Sequence, residues 1–257
     1  MSIERDHTNN STRGSLRLAP NVEDFEEHKR KLPRQFVNFT FYRARPEWRT
    51  LDDGEKTTCK EAFGRTVDEF RPQLLIRTYS TVGLRSNADF MIWRIGDGLE
   101  QMQEMTGRLN RTPMAKYVES THSFLSMTKR SMYIEKDCAE HAEDRVHVVP
   151  GETNFLFVCP LQRTREWYSR PEEQRQEMMD ENLRIGSKYR SVRLHTTYSF
   201  GLDDQEFVVV FETDNPSDFL DLFQELREAK ASCFTLRDTP MFTCRRRTLA
   251  ECLEAIG

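Results

Sequence analysis

A chain of 257 residues that is 37% hydrophobic and 31% charged can bury a sizeable core without disulfides or metals. Its 38 Lys and Arg are scattered among 42 Asp and Glu for a net charge of −4, which argues against the concentrated basic face that nucleic acid demands of a main partner. No apolar run approaches the roughly 18 residues of a membrane span, and the polar opening stretch has no apolar signal core, so a soluble cytoplasmic protein is expected, with no membrane and no nucleic acid as partner.

In chain order, residues 1–33 are rich in Asn, Ser, Arg and Glu and read as a disordered tail. Gln35 to Ala44 (QFVNFTFYRA) alternates as a half-buried strand, and a charged helical stretch follows to Phe70. Strands are predicted over Leu74 to Leu84 and Asp89 to Ile95, then a helix over Gly98 to Asn110 and a strand over Phe124 to Tyr133. Residues 135–153, with Pro-Gly punctuation, have linker composition. The order then recurs: strand Asn154 to Leu161, helix to Tyr189, strands Arg193 to Gly201 and Glu206 to Thr213, an amphipathic segment Asn215 to Lys230 within a helix reaching Ser232, and strand Cys233 to Thr243. Glu206 to Glu212 (EFVVVFE) is apolar at every interior position, as a central strand covered on both faces is. Arg245-Arg246-Arg247 reads as the solvated start of a last helix.

The recurrence is a duplication. Arg77 to Met91 reads RTYSTVGLRSNADFM and Thr196 to Val209 reads TTYSFGLDDQEFVV; each is preceded by an aromatic strand running into a Glu-Trp pair, Glu47-Trp48 and Glu166-Trp167. A period above about one hundred residues excludes a solenoid, whose repeats run about 20 to 50. The fold class is therefore α+β: duplicated ferredoxin-like βαββαβ units, residues 34–134 and 154–257, whose sheets meet in one barrel with helices outside. Trp48, Trp93 and Trp167 are core and interface anchors, Trp48 and Trp167 being one site in two copies. The six cysteines form no CxxC pair, and Cys159 and Cys233 lie in strand-like runs as small buried hydrophobes would, which fits a reducing compartment.

The runs TTYSFGLDDQEFVVVFETDNPSDFLDLFQELRE and TLRDTPMFTC, with REWYSRPEEQRQEMMDENLRIG and YSTVGLRSNADFMIW before them, resemble the chlorite dismutase superfamily, which includes coproheme decarboxylases. The resemblance spans roughly residues 35 to 245. It implies a dimeric α+β barrel within one chain, a homo-oligomer that is commonly a pentamer, and heme or coproheme in the C-terminal half.

In that family one histidine ligates the heme iron, within a pattern like MMxxHxxIG. Here the stretch is Met178 to Gly186 and Asn182 holds the ligand position, sharing a helical face with Met178, Ile185 and Tyr189. A neutral carboxamide is not among the usual heme ligands; the alternative is an Asn satisfied by a neighbour or water. The family also places an acid near the end of the following helix, to orient the histidine. Lys230, in line with Phe219, Phe223 and Leu226, stands there instead, unless it simply reaches into solvent at the helix end. Thirteen residues after Asn182, His195 takes the distal position, which the resemblance assigns to arginine in chlorite-decomposing members and to an uncharged residue in decarboxylases. A histidine there serves as general acid and base or as an iron ligand, or else is a strand histidine bonded to a neighbour. Arg227 and Ser232 match residues that hold propionates in decarboxylases, and would equally hold another anionic ligand.

Elsewhere, Cys138, His141 and His147 read as a solvated loop rather than a zinc site, and there is no HExxH, phosphate loop or GxSxG. Two functions follow. One is a heme-dependent oxidoreductase, of peroxidase or coproheme decarboxylase type, that does not decompose chlorite. The other is a non-catalytic relative that no longer ligates heme and acts as a binding or assembly subunit.

Overall fold

In a computed structural model, residues 34–129, 131, 133 and 147–257 are described. The expected tail lies outside the described residues, as do residues 135–146 of the expected linker, with Cys138 and His141. The first copy runs β1 (Phe36–Ala44), a 3-10 turn carrying Trp48, α1 (Asp53–Glu69), β2 (Leu75–Ser80), β3 (Phe90–Gly96), α2 (Leu99–Leu109) and β4 (Val118–Met127). The second runs β5 (Phe155–Arg163), α3 (Arg165–Ser169), α4 (Glu172–Lys188), β6 (Arg193–Tyr198), β7 (Phe207–Thr213), α5 (Pro216–Glu228), β8 (Thr235–Arg237) and β9 (Phe242–Arg246), before α6 (Leu249–Glu254). Gly83 at φ 75° and Gly201 at φ 72° make the same left-handed turn in the two copies, a conformation only glycine enters freely.

All strands but β8 close in the order β7-β6-β4-β1-β3-β2-β9-β5, with β5 pairing back to β7. The copies meet at two thin seams, Met127 opposite Tyr198 and the β2–β9 pair at Tyr79 and Ser80. Strand alternation sends one set of side chains inward, where Val37, Phe39, Trp93, Leu156, Val158, Val208, Val210 and Phe242 fill the barrel. The other set faces the helices. β7 lies between β5 and β6, as its unbroken apolar run required.

Several boundaries differ from the sequence reading. β4 begins at Val118, six residues before the expected Phe124, and ends at Met127. The helix expected to reach Tyr189 is two, α3 and α4, divided at Arg170-Pro171, where a proline cannot donate to a continuing turn. The strand expected over Cys233 to Thr243 is broken: Cys233 is exposed in a 3-10 turn, and β8 and β9 are separated by a loop holding the cis Thr239–Pro240 bond. Arg245 and Arg246 belong to β9, paired across to β2, so they do not begin the last helix; that helix starts after Thr248 with a capping box to Glu251.

Candidate functional site

The helix layers of the two copies differ in how they meet the sheet. Over the first copy, α1, α2 and α6 bury Phe63, Val67, Met102, Met105, Leu249 and Leu253 in one cluster with Trp48 and Phe90. The Trp48 indole N–H reaches the Gly257 carbonyl at 2.7 Å. Over the second copy, α4 has 17 residues, as many as α1, and none is buried. It touches the cluster of Phe157 and Phe211 from the sheet and Phe219 and Leu222 from α5 through half-buried Ile185 and Tyr189. Asn182 stands one turn before Ile185 on that face. Its Nδ2 has only the Met179 sulfur at 4.0 Å, and its Oδ1 is buried with no hydrogen-bond partner. An unmet buried carbonyl costs about 1–3 kcal/mol.

Directly opposed residues of antiparallel strands point to the same face. The register aligns Phe157, Phe211 and Leu194 in one row beneath the helices, and Cys159, Val209 and Thr196 in the next. Leu194 is 52% exposed although it belongs to the helix-facing row, so the floor is uncovered there. Cys159 is buried, and burial with the nearby Asp238 carboxylate pushes its thiol up to about 12, leaving it protonated at neutral pH. Its Sγ lies 3.4 Å from the Asp238 carbonyl.

His195 lies in neither row. It pairs with Val210 and points into the barrel, where its ring meets Trp93 at 6.3 Å and its Nε2 lies 2.9 Å from Glu212 Oε2. Glu212 is 1% exposed and also accepts the Gly151 N–H. The expected distal placement of His195 is therefore corrected: sheet and barrel core separate it from Asn182, and Leu194 occupies the helix-facing position beside it. A buried carboxylate needs a partner, and the strand histidine is that partner.

Lys230 is corrected as well. α5 ends at Glu228 and Ala229 is extended, so Lys230 opens the next 3-10 turn and does not continue the face of Phe219, Phe223 and Leu226. Its side chain is exposed, and its backbone N–H donates to Glu181 Oε2 at 3.1 Å, beside Asn182. Arg227 is half-exposed, lies over the Phe223 ring at 5.1 Å and is ion-paired with Asp238, which links it to Cys159. Ser232 is half-buried, its N–H bound to the Ala229 carbonyl. The fold thus gathers Asn182, Glu181 and the Lys230 backbone on one side, and Arg227, Asp238 and Cys159 on another. Leu194 and Asp238 escaped the sequence reading, and Cys159 was read, correctly, as a small buried hydrophobe but not placed near the site; strand alternation counted back from the Gly201 turn finds Leu194.

Heme iron is held in proteins by imidazole, thiolate, thioether or phenolate. The pocket face offers the Asn182 carboxamide, aliphatic Leu194 and a protonated Cys159 thiol, which do not fit an imidazole- or thiolate-ligated iron. The uncovered floor does fit a flat ring, and Arg227, ion-paired with Asp238, adds a cation that a ring carboxylate would have to share with that acid. Among the described residues there is no group of three or more His, Cys, Asp or Glu placed to hold a metal ion.

The family model described as chlorite dismutase matches residues 56–247. A coproheme decarboxylase of Mycolicibacterium smegmatis is 30% identical over 166 residues, covering 64% of this chain and 70% of the relative. A chlorite dismutase from Candidatus Nitrospira defluvii, solved in complex with imidazole, superposes with a TM-score of 0.79 at 22% identity over 91% of this chain and 99% of that one. An arginine-to-lysine mutant of the same enzyme gives 0.80, with the same identity and coverage. At that identity the likeness concerns the fold. Among the described residues no helix is long and apolar enough to cross a membrane.

Proposed function

The chain belongs to the chlorite dismutase family, and from that premise we propose that it is a homo-oligomeric member whose C-terminal half, residues 154–257, binds heme, coproheme or a related anionic tetrapyrrole without histidine ligation of iron. In this reading it is a binding or assembly subunit, and it does not decompose chlorite. The observation that carries the proposal is the unmet Asn182 carboxamide on α4, a helix with no buried residue, over a copy whose helix-facing strand residue Leu194 is left exposed, while the strand histidine is spent on Glu212. Arg227 and Ser232 at the rim supply the ring's carboxylates with a cation and a hydroxyl. The five described cysteines are all free, which supports a reducing, cytoplasmic setting.

A second reading has its own support. The relative named for coproheme decarboxylation favours a coproheme-dependent oxidoreductase that has rebuilt its site. Titration with hemin, coproheme and metal-free protoporphyrin IX separates the two. Binding without axial ligation predicts hemin and protoporphyrin IX affinities within about tenfold of each other, 1.4 kcal/mol. Hemin bound about a thousandfold more tightly, or decarboxylation of coproheme on addition of peroxide, establishes the second reading instead.

A further inference from the structure

At one end of the barrel lies a cleft of about 760 Å³, whose lining includes neither Asn182 nor any other residue of α4 or α5. Its wall includes the inward-facing His122, Phe124 and Pro160, with Arg85 from the β2–β3 loop, Arg237 from the end of β8 and Pro240 from the β8–β9 loop. Arg85 lies over the Phe242 ring at 4.7 Å; its Nε is buried without a hydrogen-bond partner. Arg237 spends its Nε on the Thr239 carbonyl at 2.9 Å. Among the described residues neither arginine has an acid within 4.0 Å, whereas Arg77, Arg108, Arg170, Arg227, Arg246 and Arg247 are all ion-paired. Two acids, Asp203 and Asp204, share the cleft. Asp203 is committed to β4 and its own loop: Oδ2 accepts the Leu125 N–H at 2.7 Å and the Gln205 amide at 3.0 Å, and Oδ1 accepts the Asp204 N–H.

We infer that this cleft is a second ligand site, which takes a small organic carboxylate: the charge lies between Arg85 and Arg237, and the apolar body lies on Phe124, Pro160 and Pro240. A guanidinium without a carboxylate partner, partly desolvated over a ring, gains most from an anion that brings its own planar fork. The apolar wall selects against a bare inorganic anion, which has nothing to place there. His122 reports the same field, because burial and the Arg85 charge hold its imidazole below the ordinary histidine range; an anion beside Arg85 relieves the second cause.

Benzoate is the probe, titrated into the full chain by saturation-transfer NMR, with benzyl alcohol as its uncharged counterpart and inorganic phosphate as the bodiless anion. Saturable benzoate binding is expected, weakened about tenfold by Arg85→Gln and by Arg237→Gln, with both counterparts binding more weakly. The His122 imidazole pKa rises as benzoate is added. Circular dichroism and hemin titration of both variants remain as in the parent, which keeps this site separate from the tetrapyrrole pocket. Absence of saturable benzoate binding, undiminished binding in Arg85→Gln, or equal binding of benzyl alcohol overturns the inference.

Discussion

The helices α1 and α4 occupy the same place in the two copies and have the same length, yet one is sealed into its sheet and the other stands off it. α1 begins with a capping box between Asp52 and Glu55 and buries Cys59, Phe63, Thr66 and Val67; α6 then closes its flank with Leu249, Cys252 and Leu253. α4 begins at Pro171 with no side-chain cap and buries nothing. Duplication supplied two equivalent clefts between sheet and helices. In the first, side chains from this chain fill the cleft, and in the second the floor stays open above Leu194 and Thr196. The difference teaches where a ligand would act: α4, which buries nothing, has stability to gain from being covered, and α1 has not.

The comparison makes quantitative demands. Phe63→Ala should cost about 3–5 kcal/mol in urea unfolding, the cost of emptying a packed core site, while Ile185→Ala, at a half-exposed position on α4, should cost about 1 kcal/mol. Equal costs would mean that α4 is packed as α1 is. His195→Ala should cost about 3 kcal/mol, because it leaves Glu212 buried with little beyond the Gly151 N–H, and it should leave the absorption spectrum of any bound tetrapyrrole unchanged. A lost or shifted Soret band would return His195 to the pocket. Smaller effects lie at the helix starts. Asp52→Ala should cost about 1 kcal/mol by removing the α1 cap, and Pro171→Asp should add about 0.5 kcal/mol by giving α4 a capping box with Gln174; thermal unfolding at constant buffer reads both.

The fold was legible because it was written twice. The paired TYS strands, the Gly turns at Gly83 and Gly201 and the two Glu-Trp pairs set the repeat, and the apolar β7 run set the closure. The site was less legible, for a reason specific to strands. Counting thirteen residues from Asn182 crosses the turn Tyr189 to Val192, and an error of one residue in a strand exchanges the faces. It put His195 over the pocket when Leu194 belongs there. A signal was present in Glu212, one carboxylate ending an apolar inward row and in need of a partner. Lys230 was misplaced because no glycine marks the end of α5; the chain turns extended at Ala229 where tertiary contacts with α4 take over. The break between β8 and β9, by contrast, was announced by Pro240 inside the expected strand.

The central claim is that Asn182 occupies the iron-ligand position of an otherwise usable pocket, and a hemin titration followed by absorption spectroscopy on the parent chain and on Asn182→His tests it most directly. The account predicts a parent spectrum without a histidine-ligated Soret band, and a sharp five-coordinate high-spin band with affinity raised about a hundredfold in Asn182→His, about 2.7 kcal/mol. A parent that already shows a histidine-ligated spectrum, unchanged by Asn182→His, would contradict it.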